Sequence, residues 1–272
     1  MNLVHWLVTL KCNHNCYYCF FKLKPDNNKI LSNDAIVDFW NNTNKIWDFK
    51  LTGGEPFLYP DFIDLCGKLT QSNHTIFIDT NLSLSLDELH KFIQKVSTDK
   101  VGLILASMNN KNEQDIEPFI EKARLLMEKG YRFDSTYVLH PLRYDKVDET
   151  TAILNRNNIP LTVQRFLGKY GGKEYPTCYD KEILEKYFPE GLKDNCFNPK
   201  EKSAVCGAGY NYVYVNPDYE IYSCMPYSNK KENKIGDISL NKIKLGTGYK
   251  QCNLNTSCPC LNMLVCADII KL

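Results

Sequence analysis

The alternation of apolar runs and helical repeats predicts an α/β fold: a partial (β/α)6 barrel with a small cysteine-rich C-terminal β-hairpin/helix extension. Three observations predict it. Six short runs rich in β-branched and aromatic residues alternate with helical stretches through short connections, which implies parallel strands joined by right-handed crossovers. The first two runs end in loops of unusual composition, one rich in cysteine and one in glycine. Eight of the twelve cysteines lie beyond residue 177, so residues 1–177 read as the barrel and 178–272 as the extension.

In chain order, Val4 to Leu10 is a buried strand that runs into Lys11-Cys12-Asn13-His14-Asn15-Cys16-Tyr17-Tyr18-Cys19-Phe20. A polar bridge, Lys22 to Lys29, leads to a helix capped by Ser32, with Asp34 in its first turn and Ile36, Phe39 and Trp40 on its apolar side. Trp47 to Leu51 is the second strand and ends in Thr52-Gly53-Gly54-Glu55-Pro56. Asp61 to Leu69 is helical, with Cys66 a core residue. Thr75 to Asp79 is the third strand, ending in Thr80-Asn81, and Leu86 to Val96 is helical. Val101 to Ala106 is the fourth strand, closed by Ser107. The helix Ile116 to Lys129 stops at Gly130, a C-cap. Asp134 to His140 is the fifth strand, stopped by Pro141. Val147 to Asn157 is helical, Pro160 to Leu167 is the sixth strand, and Asp180 to Phe188 is the last helix of the series. In such folds functional groups gather beyond the carboxyl ends of the strands, so the cysteine loop and Gly-Gly-Glu-Pro belong to one rim.

The chain has 272 residues, 43% hydrophobic and 24% charged, with 33 basic against 32 acidic groups. That composition fits a globular enzyme and points to no polyanionic partner, so no nucleic acid is indicated. Met1-Asn2-Leu3-Val4-His5-Trp6 lacks a basic region, a long apolar segment and a small-residue cleavage site, and no apolar run approaches the roughly 20 residues of a membrane span. Cysteine-rich and without export signals, the chain is expected to be cytoplasmic and to use its thiols for metal rather than disulfides. No nucleophile elbow, Walker loop, zincin helix or G-x-G-x-x-G supports another catalytic class.

Cys12, Cys16 and Cys19 follow a C-x3-C-x2-C spacing on one tight loop. Three thiolates there can converge on one metal centre, whereas a four-iron cluster usually takes four protein thiolates; one iron is left for a ligand that is not protein. Zinc and buried apolar thiols are the competing readings, and zinc leaves the missing fourth ligand unexplained. His14, in the middle of the loop, reads as a solvated turn residue. With Tyr18 just before the last cysteine, the pattern resembles the signature of the radical S-adenosylmethionine (SAM) superfamily. The resemblance implies a 4Fe-4S cluster whose open iron is chelated by SAM, and reductive cleavage of SAM to methionine and a 5′-deoxyadenosyl radical. It also implies roles for further residues: Gly53, Gly54 and Glu55 at the SAM amino group, Tyr18 against the adenine, and Thr80, Asn81 and Ser107 at the methionine carboxylate or ribose. Gln164 and Arg165 are placed by it at SAM or substrate. Each of these residues is also an ordinary turn, cap or strand-end residue by type.

In the extension, Cys206-Gly207-Ala208-Gly209-Tyr210 precedes Tyr212 to Val215, an Asn216-Pro217-Asp218-Tyr219 turn and Glu220 to Cys224, which together read as a β-hairpin bringing its terminal cysteines together. Ile235-Gly236-Asp237-Ile238 and the run Cys252-x5-Cys258-x-Cys260-x5-Cys266 follow. This resembles the SPASM/twitch extension of a radical SAM subgroup and implies one auxiliary 4Fe-4S cluster held by Cys206, Cys224, Cys258 and either Cys260 or Cys252. Two auxiliary clusters remain open, since eight cysteines suffice, as does a zinc knuckle; Cys178 and Cys196 read as spare or core thiols.

The resemblance implies hydrogen abstraction from an unactivated carbon, with the auxiliary cluster accepting an electron or binding substrate, and a reducing partner such as flavodoxin or ferredoxin. Because the first strand begins within the first few residues, no leader-peptide-binding domain is expected ahead of it. That favours a small sugar- or nucleotide-like substrate over a peptide or protein side chain. The stretch Phe166 to Pro176, rich in glycine, lysine and tyrosine, reads as a surface loop or a substrate lid. Outside enzymes, an iron-sulfur or zinc protein that carries electrons or scaffolds a complex remains the alternative, and it predicts no SAM binding.

Overall fold

The computed structural model describes residues 1–19, 30–189, 204–225, 228, 230–251 and 269–271. The bridge at Lys22 to Lys29 and Cys196, Cys252, Cys258, Cys260 and Cys266 lie outside the described residues.

The six predicted strands form β1 (Leu3–Thr9), β2 (Asp48–Gly53), β3 (Thr75–Thr80), β4 (Val101–Met108), β5 (Phe133–Leu139) and β6 (Leu161–Arg165), each paired parallel to the next in chain order. Between them run α1 (Asn33–Asn41), α2 (Phe62–Gln71), α3 (Leu86–Lys95), the short α4 (Asn110–Gln114), α5 (Glu117–Glu128) and α6 (Tyr144–Arg156). The caps follow side-chain chemistry. Ser32 accepts from the Ala35 amide at the start of α1, Ser85 and Glu88 form a reciprocal capping box on α3, and Gly130 takes φ +87° where α5 ends.

Alternate strand residues divide the two faces of the sheet. Val4, Trp6, Val8, Phe49, Leu51, Ile76 and Ile78 pack with Ile36, Phe39, Trp40, Leu65, Leu69 and Phe92 of the helices in one core. Cys66 is buried there, as expected. The opposite face carries His5, Lys50, Thr52 and Asp79, with Lys50 ion-paired to Asp79. Further along it, Thr162 donates to Asp134 over 2.8 Å.

Two features were not foreseen. Residues 168–175 form a hairpin, β7 (Gly168–Tyr170) and β8 (Lys173–Tyr175), turned by Gly171 and Gly172 at φ +56° and +75°. After α7 (Lys181–Tyr187) and β9 (Ala204–Cys206), the predicted hairpin of β10 (Tyr212–Val215) and β11 (Glu220–Tyr222) adds to the barrel sheet itself. β10 lies parallel to β1, with Leu3 opposite Tyr212 and His5 opposite Tyr214, and β12 (Lys234–Asp237) and β13 (Lys242–Ile243) continue the sheet to ten strands. In the turn, Asn216 Oδ1 accepts from the amides of Asp218 and Glu220 at 3.0 and 2.9 Å while Tyr219 takes φ +64°. β9 is the middle strand of a separate three-stranded sheet between β14 (Lys250–Gln251) and β15 (Ile269–Lys271). No helix among the described residues is long and apolar enough to cross a membrane.

Candidate active site at the carboxyl rim

The loop after β1 is held by the turn that ends β2. The Gly54 amide donates to the Thr9 carbonyl at 2.8 Å and the Glu55 amide to the Lys11 carbonyl at 2.7 Å. The glycines are required by this approach: a Cβ on Gly53 would stand 2.4 Å from the Thr9 oxygen, and one on Gly54 2.1 Å from the Lys11 oxygen. The Gly-Gly pair therefore clamps the cysteine loop to the second strand.

Glu55 is fully buried and serves as a brace. Its carboxylate accepts from the Phe57 amide (3.1 Å), the Thr80 hydroxyl (2.8 Å) and the Asn81 amide (2.6 Å). Burial pushes its carboxyl up to about 7 even though those three donors pull the other way. Asn81 reaches onward: its side-chain amide donates to Asn13 Oδ1 at 2.9 Å and to Cys12 Sγ at 3.7 Å. Asn112 of α4 then ties the Asn81 and Ser107 carbonyls, at 3.2 and 3.1 Å. Lys122 of α5 holds the chain just after Asn81 through the Leu82 and Leu84 carbonyls, at 2.7 and 3.1 Å.

The structure thus brings Cys12, Gly53, Gly54, Glu55, Thr80, Asn81 and Ser107 into one connected rim. Gln164 and Arg165 end β6, five strands from β1 in the sheet. His14 departs from expectation. It is only 6% exposed rather than solvated, because the loop folds it inward, and its Nδ1 has no hydrogen-bond partner among the described residues.

Cys12, Cys16 and Cys19 form no disulfide. Burial raises the thiols of Cys12 and Cys16, and the neighbouring cysteines of the loop raise them further. Against this, the His14 amide points at Cys12 Sγ from 3.4 Å and the Asn81 side-chain amide from 3.7 Å, the donors a buried thiolate needs. Amide donors aimed at the Cys12 sulfur, beside two further cysteines on the same loop, fit a thiolate that binds a cationic cluster better than a dry apolar packing site.

Tyr18 is anchored by a residue that the pattern of the sequence did not flag. Arg143, in the turn after β5, is 2% exposed and donates from Nη1 to the Tyr18 hydroxyl at 2.8 Å and from Nη2 to the Met108 carbonyl at 3.1 Å. It also pairs with Glu113 of α4 at 3.1 Å and lies 3.9 Å from the Tyr137 ring centroid. Burial works against its charge, but Tyr18, Glu113 and Tyr137 more than offset that, so the guanidinium stays charged. Burial also pushes the Tyr18 hydroxyl above its usual range, keeping its proton in place.

A model of the radical SAM superfamily matches residues 6–154, more than half of the chain and the span that carries this rim. The chain belongs to the radical SAM superfamily. Membership in it implies a 4Fe-4S cluster and SAM. Among the described residues no three His, Cys, Asp or Glu side chains close on a single metal ion. A four-iron cube instead takes one thiolate at each iron, over a wider triangle.

Relatives of this radical SAM protein include a candidate glycyl-radical enzyme activating enzyme of Methanocaldococcus jannaschii, 26% identical over 199 residues, covering 66% of this chain and 76% of that protein. A probable GTP 3′,8-cyclase of Saccharolobus islandicus is 23% identical over 276 residues, covering 90% of this chain and 88% of its own. Among solved structures, SuiB of Streptococcus suis bound to SAM superposes with a TM-score of 0.61 at 16% identity over 85% of this chain. The chain spans 62% of SuiB's length, and the likeness is one of fold.

In the extension, Cys206 and Cys224 pack against one small group formed by Leu3 and Tyr212, where β10 meets β1. β14 ends at Gln251, the residue before Cys252, and pairs with Val205 and Cys206. Cys178 is half-buried at the edge of the main core.

Proposed function

We propose that this radical SAM enzyme abstracts hydrogen from a small, sugar- or nucleotide-like substrate, and that residues 178–272 serve as an auxiliary-cluster unit. The observation that carries the reading is the clamp of Gly53, Gly54 and Glu55 onto the loop of Cys12, Cys16 and Cys19.

The cluster and SAM, when bound, supply a hydrogen-abstracting carbon radical. The three cysteines hold the cluster. The backbone of Gly53 to Glu55 and the strand-end residues Thr80, Asn81 and Ser107 form the ledge for SAM, next to Tyr18. Glu55, with its acceptors engaged by three protein donors, orients that ledge rather than moving a proton. Cys206 and Cys224, with Cys258 and Cys260 or Cys252, would hold the auxiliary cluster, which would supply an electron acceptor or a binding point for the substrate.

A small substrate is supported by the relation to a probable GTP 3′,8-cyclase over 90% of the chain. The sheet face turned away from the helices also offers Lys50, Asp79 and Asp134 to hydroxyl or amino groups. A peptide substrate is the second reading, drawn from the fold shared with SuiB, which was also solved with its precursor peptide SuiA.

The test is anaerobic reconstitution, with iron and acid-labile sulfide measured beside dithionite-driven formation of 5′-deoxyadenosine. Nucleoside triphosphates, sugar nucleotides, aminocyclitols and short peptides are then compared for stimulation of that product. Zinc in place of iron and no 5′-deoxyadenosine would overturn the enzyme reading. Stimulation by peptides alone would replace the small-molecule reading with the second one.

A further inference from the structure

The short helix α4 is fixed at its start by Asn109, which is buried. Its Oδ1 accepts from the Lys111 and Asn112 amides at 2.9 and 3.2 Å, and its Nδ2 donates to the Ser107 carbonyl at 3.2 Å. Asn112 and Glu113 then reach in different directions, as neighbours about 100° apart on a helix must. Asn112 holds the Asn81 and Ser107 carbonyls, just past β3 and near the end of β4, while Glu113 meets Arg143 at 3.1 Å.

Arg143 carries the connection across the rim. A guanidinium has N–H groups and no acceptor, so in the 2.8 Å contact with its Nη1 the Tyr18 phenol oxygen accepts. The guanidinium carbon also lies 5.0 Å from the Tyr18 ring centroid and 3.9 Å from that of Tyr137, and Nη2 donates to the Met108 carbonyl. One line of contacts, Asn112 and Glu113 to Arg143 to Tyr18, therefore runs from the strand ends to the cysteine loop.

For stability alone the arrangement is a poor one. Arg143 is 2% exposed and its Nε meets no acceptor among the described residues, so its desolvation is offset only in part. What the line does provide is a fixed separation between two sides of the ledge. Tyr18, read as lying against the adenine, is on one side; Asn81 and Ser107, read as meeting the methionine carboxylate or the ribose, are on the other.

We propose that Arg143 is a positioning residue for SAM: it acts through Tyr18, and with α4 it locks the adenine side of the ledge to the opposite side and so sets the affinity for SAM. The inference rests on reading this rim as the SAM ledge.

The test uses the full chain, reconstituted anaerobically, as wild type, Tyr18→Phe, Arg143→Lys and the double variant. Iron and sulfide are measured first. The dissociation constants of SAM and of methionine alone are then read from the change each makes in the electron paramagnetic resonance signal of the reduced cluster. Tyr18→Phe keeps the ring and removes only the hydroxyl that Arg143 holds. It is expected to retain wild-type iron and to bind SAM about two- to tenfold more weakly, the range for a side chain that must be immobilised on binding. Arg143→Lys keeps the charge beside Glu113 but loses the fork that reaches Tyr18 and Met108 together, and SAM should weaken similarly. The double variant should weaken no further than Tyr18→Phe, because the arginine acts through the phenol. Methionine, which has no adenine, should bind all four proteins alike.

An unchanged SAM affinity in Tyr18→Phe at full iron content would overturn the proposal. So would additive losses in the double variant, or equal losses for SAM and methionine, which would make the contact merely structural. If Arg143→Lys does not fold, Tyr18→Phe and its methionine control decide alone. Wild-type protein that holds iron yet binds no SAM would instead refute the reading of the ledge, and the proposal with it.

Discussion

Gly54→Ala tests the clamp directly. The added methyl would lie 2.1 Å from the Lys11 oxygen, and ordinary contact begins at 3.4 Å, so the two segments must part by the difference, 1.3 Å. That movement takes the bond from the Glu55 amide to Lys11 and the bond from the Gly54 amide to Thr9, now 2.7 and 2.8 Å, beyond hydrogen-bonding range. Two backbone hydrogen bonds at about 1 kcal/mol each give a loss of about 2 kcal/mol. Alanine also restricts the unfolded chain, which returns about 0.4–1 kcal/mol. The net destabilisation is about 1–2 kcal/mol, or a fall of roughly 2–8 °C in Tm for a chain of this size. Circular dichroism melts of the metal-free protein measure it without reference to the cluster. Gly248→Ala is the control: its methyl would meet nothing within 4 Å, so its Tm should hold or rise slightly. If Gly54→Ala melts with or above wild type, the restriction of the unfolded chain has won. The close approach of the two loops would then not be what the glycines serve.

Four further outcomes follow from named residues. Cys12→Ala, Cys16→Ala and Cys19→Ala should each abolish 5′-deoxyadenosine formation, and any one that retains it removes that residue from the ligand set. Cys224→Ala should lower iron and sulfide content yet leave SAM cleavage detectable; unchanged iron would count against the auxiliary cluster. Thr80→Val deletes a donor to the buried Glu55 carboxylate and should cost about 1–3 kcal/mol in urea unfolding, a loss that an unaltered midpoint would contradict. Burial, with Lys50 nearby, lowers the His5 imidazole to about 3. Below the unfolded value near 6.5 the unfolded chain therefore takes up a proton that the folded chain refuses, and stability falls with pH. Between pH 7 and 5.5 this amounts to about 1 kcal/mol, which His5→Phe should remove from the difference between urea midpoints at the two pH values.

Much of this architecture was legible because local signals and global topology agree. Strand runs such as Thr75 to Asp79 and the helix stop at Gly130 depend on period and on φ, which neighbouring residues determine. The loop motifs were legible for the same reason, being contiguous. What escaped notice is long-range. Arg143 looks like any arginine near a proline; its role comes from reaching Tyr18 across 125 positions of sequence. Asn112 and Glu113 sit in a five-residue helix with no apolar period to mark it. His14 read as solvated because its polarity was weighed without the loop that encloses it. The docking of β10 beside β1 was equally hidden: a hairpin signal states which strands pair within it and says nothing of which edge it will join.

The rim is held by buried charge rather than by the apolar core. Glu55 is fully buried, Arg143 is 2% exposed and Lys122 9%, and each bridges segments far apart in sequence. For stability alone, apolar side chains of similar volume would do as well or better, since desolvating a charge offsets most of what its partners return. Apolar packing is tolerant of small shifts, however, whereas a charge-assisted hydrogen bond weakens steeply when its angle or length changes. Three such groups fix the Asn81 strand end, the segment after it and the cysteine loop against one another. A loop proposed to present three thiolates to one cluster gains from that stiffness in a way a generic loop would not. The placement of the three buried charges around Cys12, Cys16 and Tyr18 is therefore explained by the geometry of the site, and the stability of the fold does not require it.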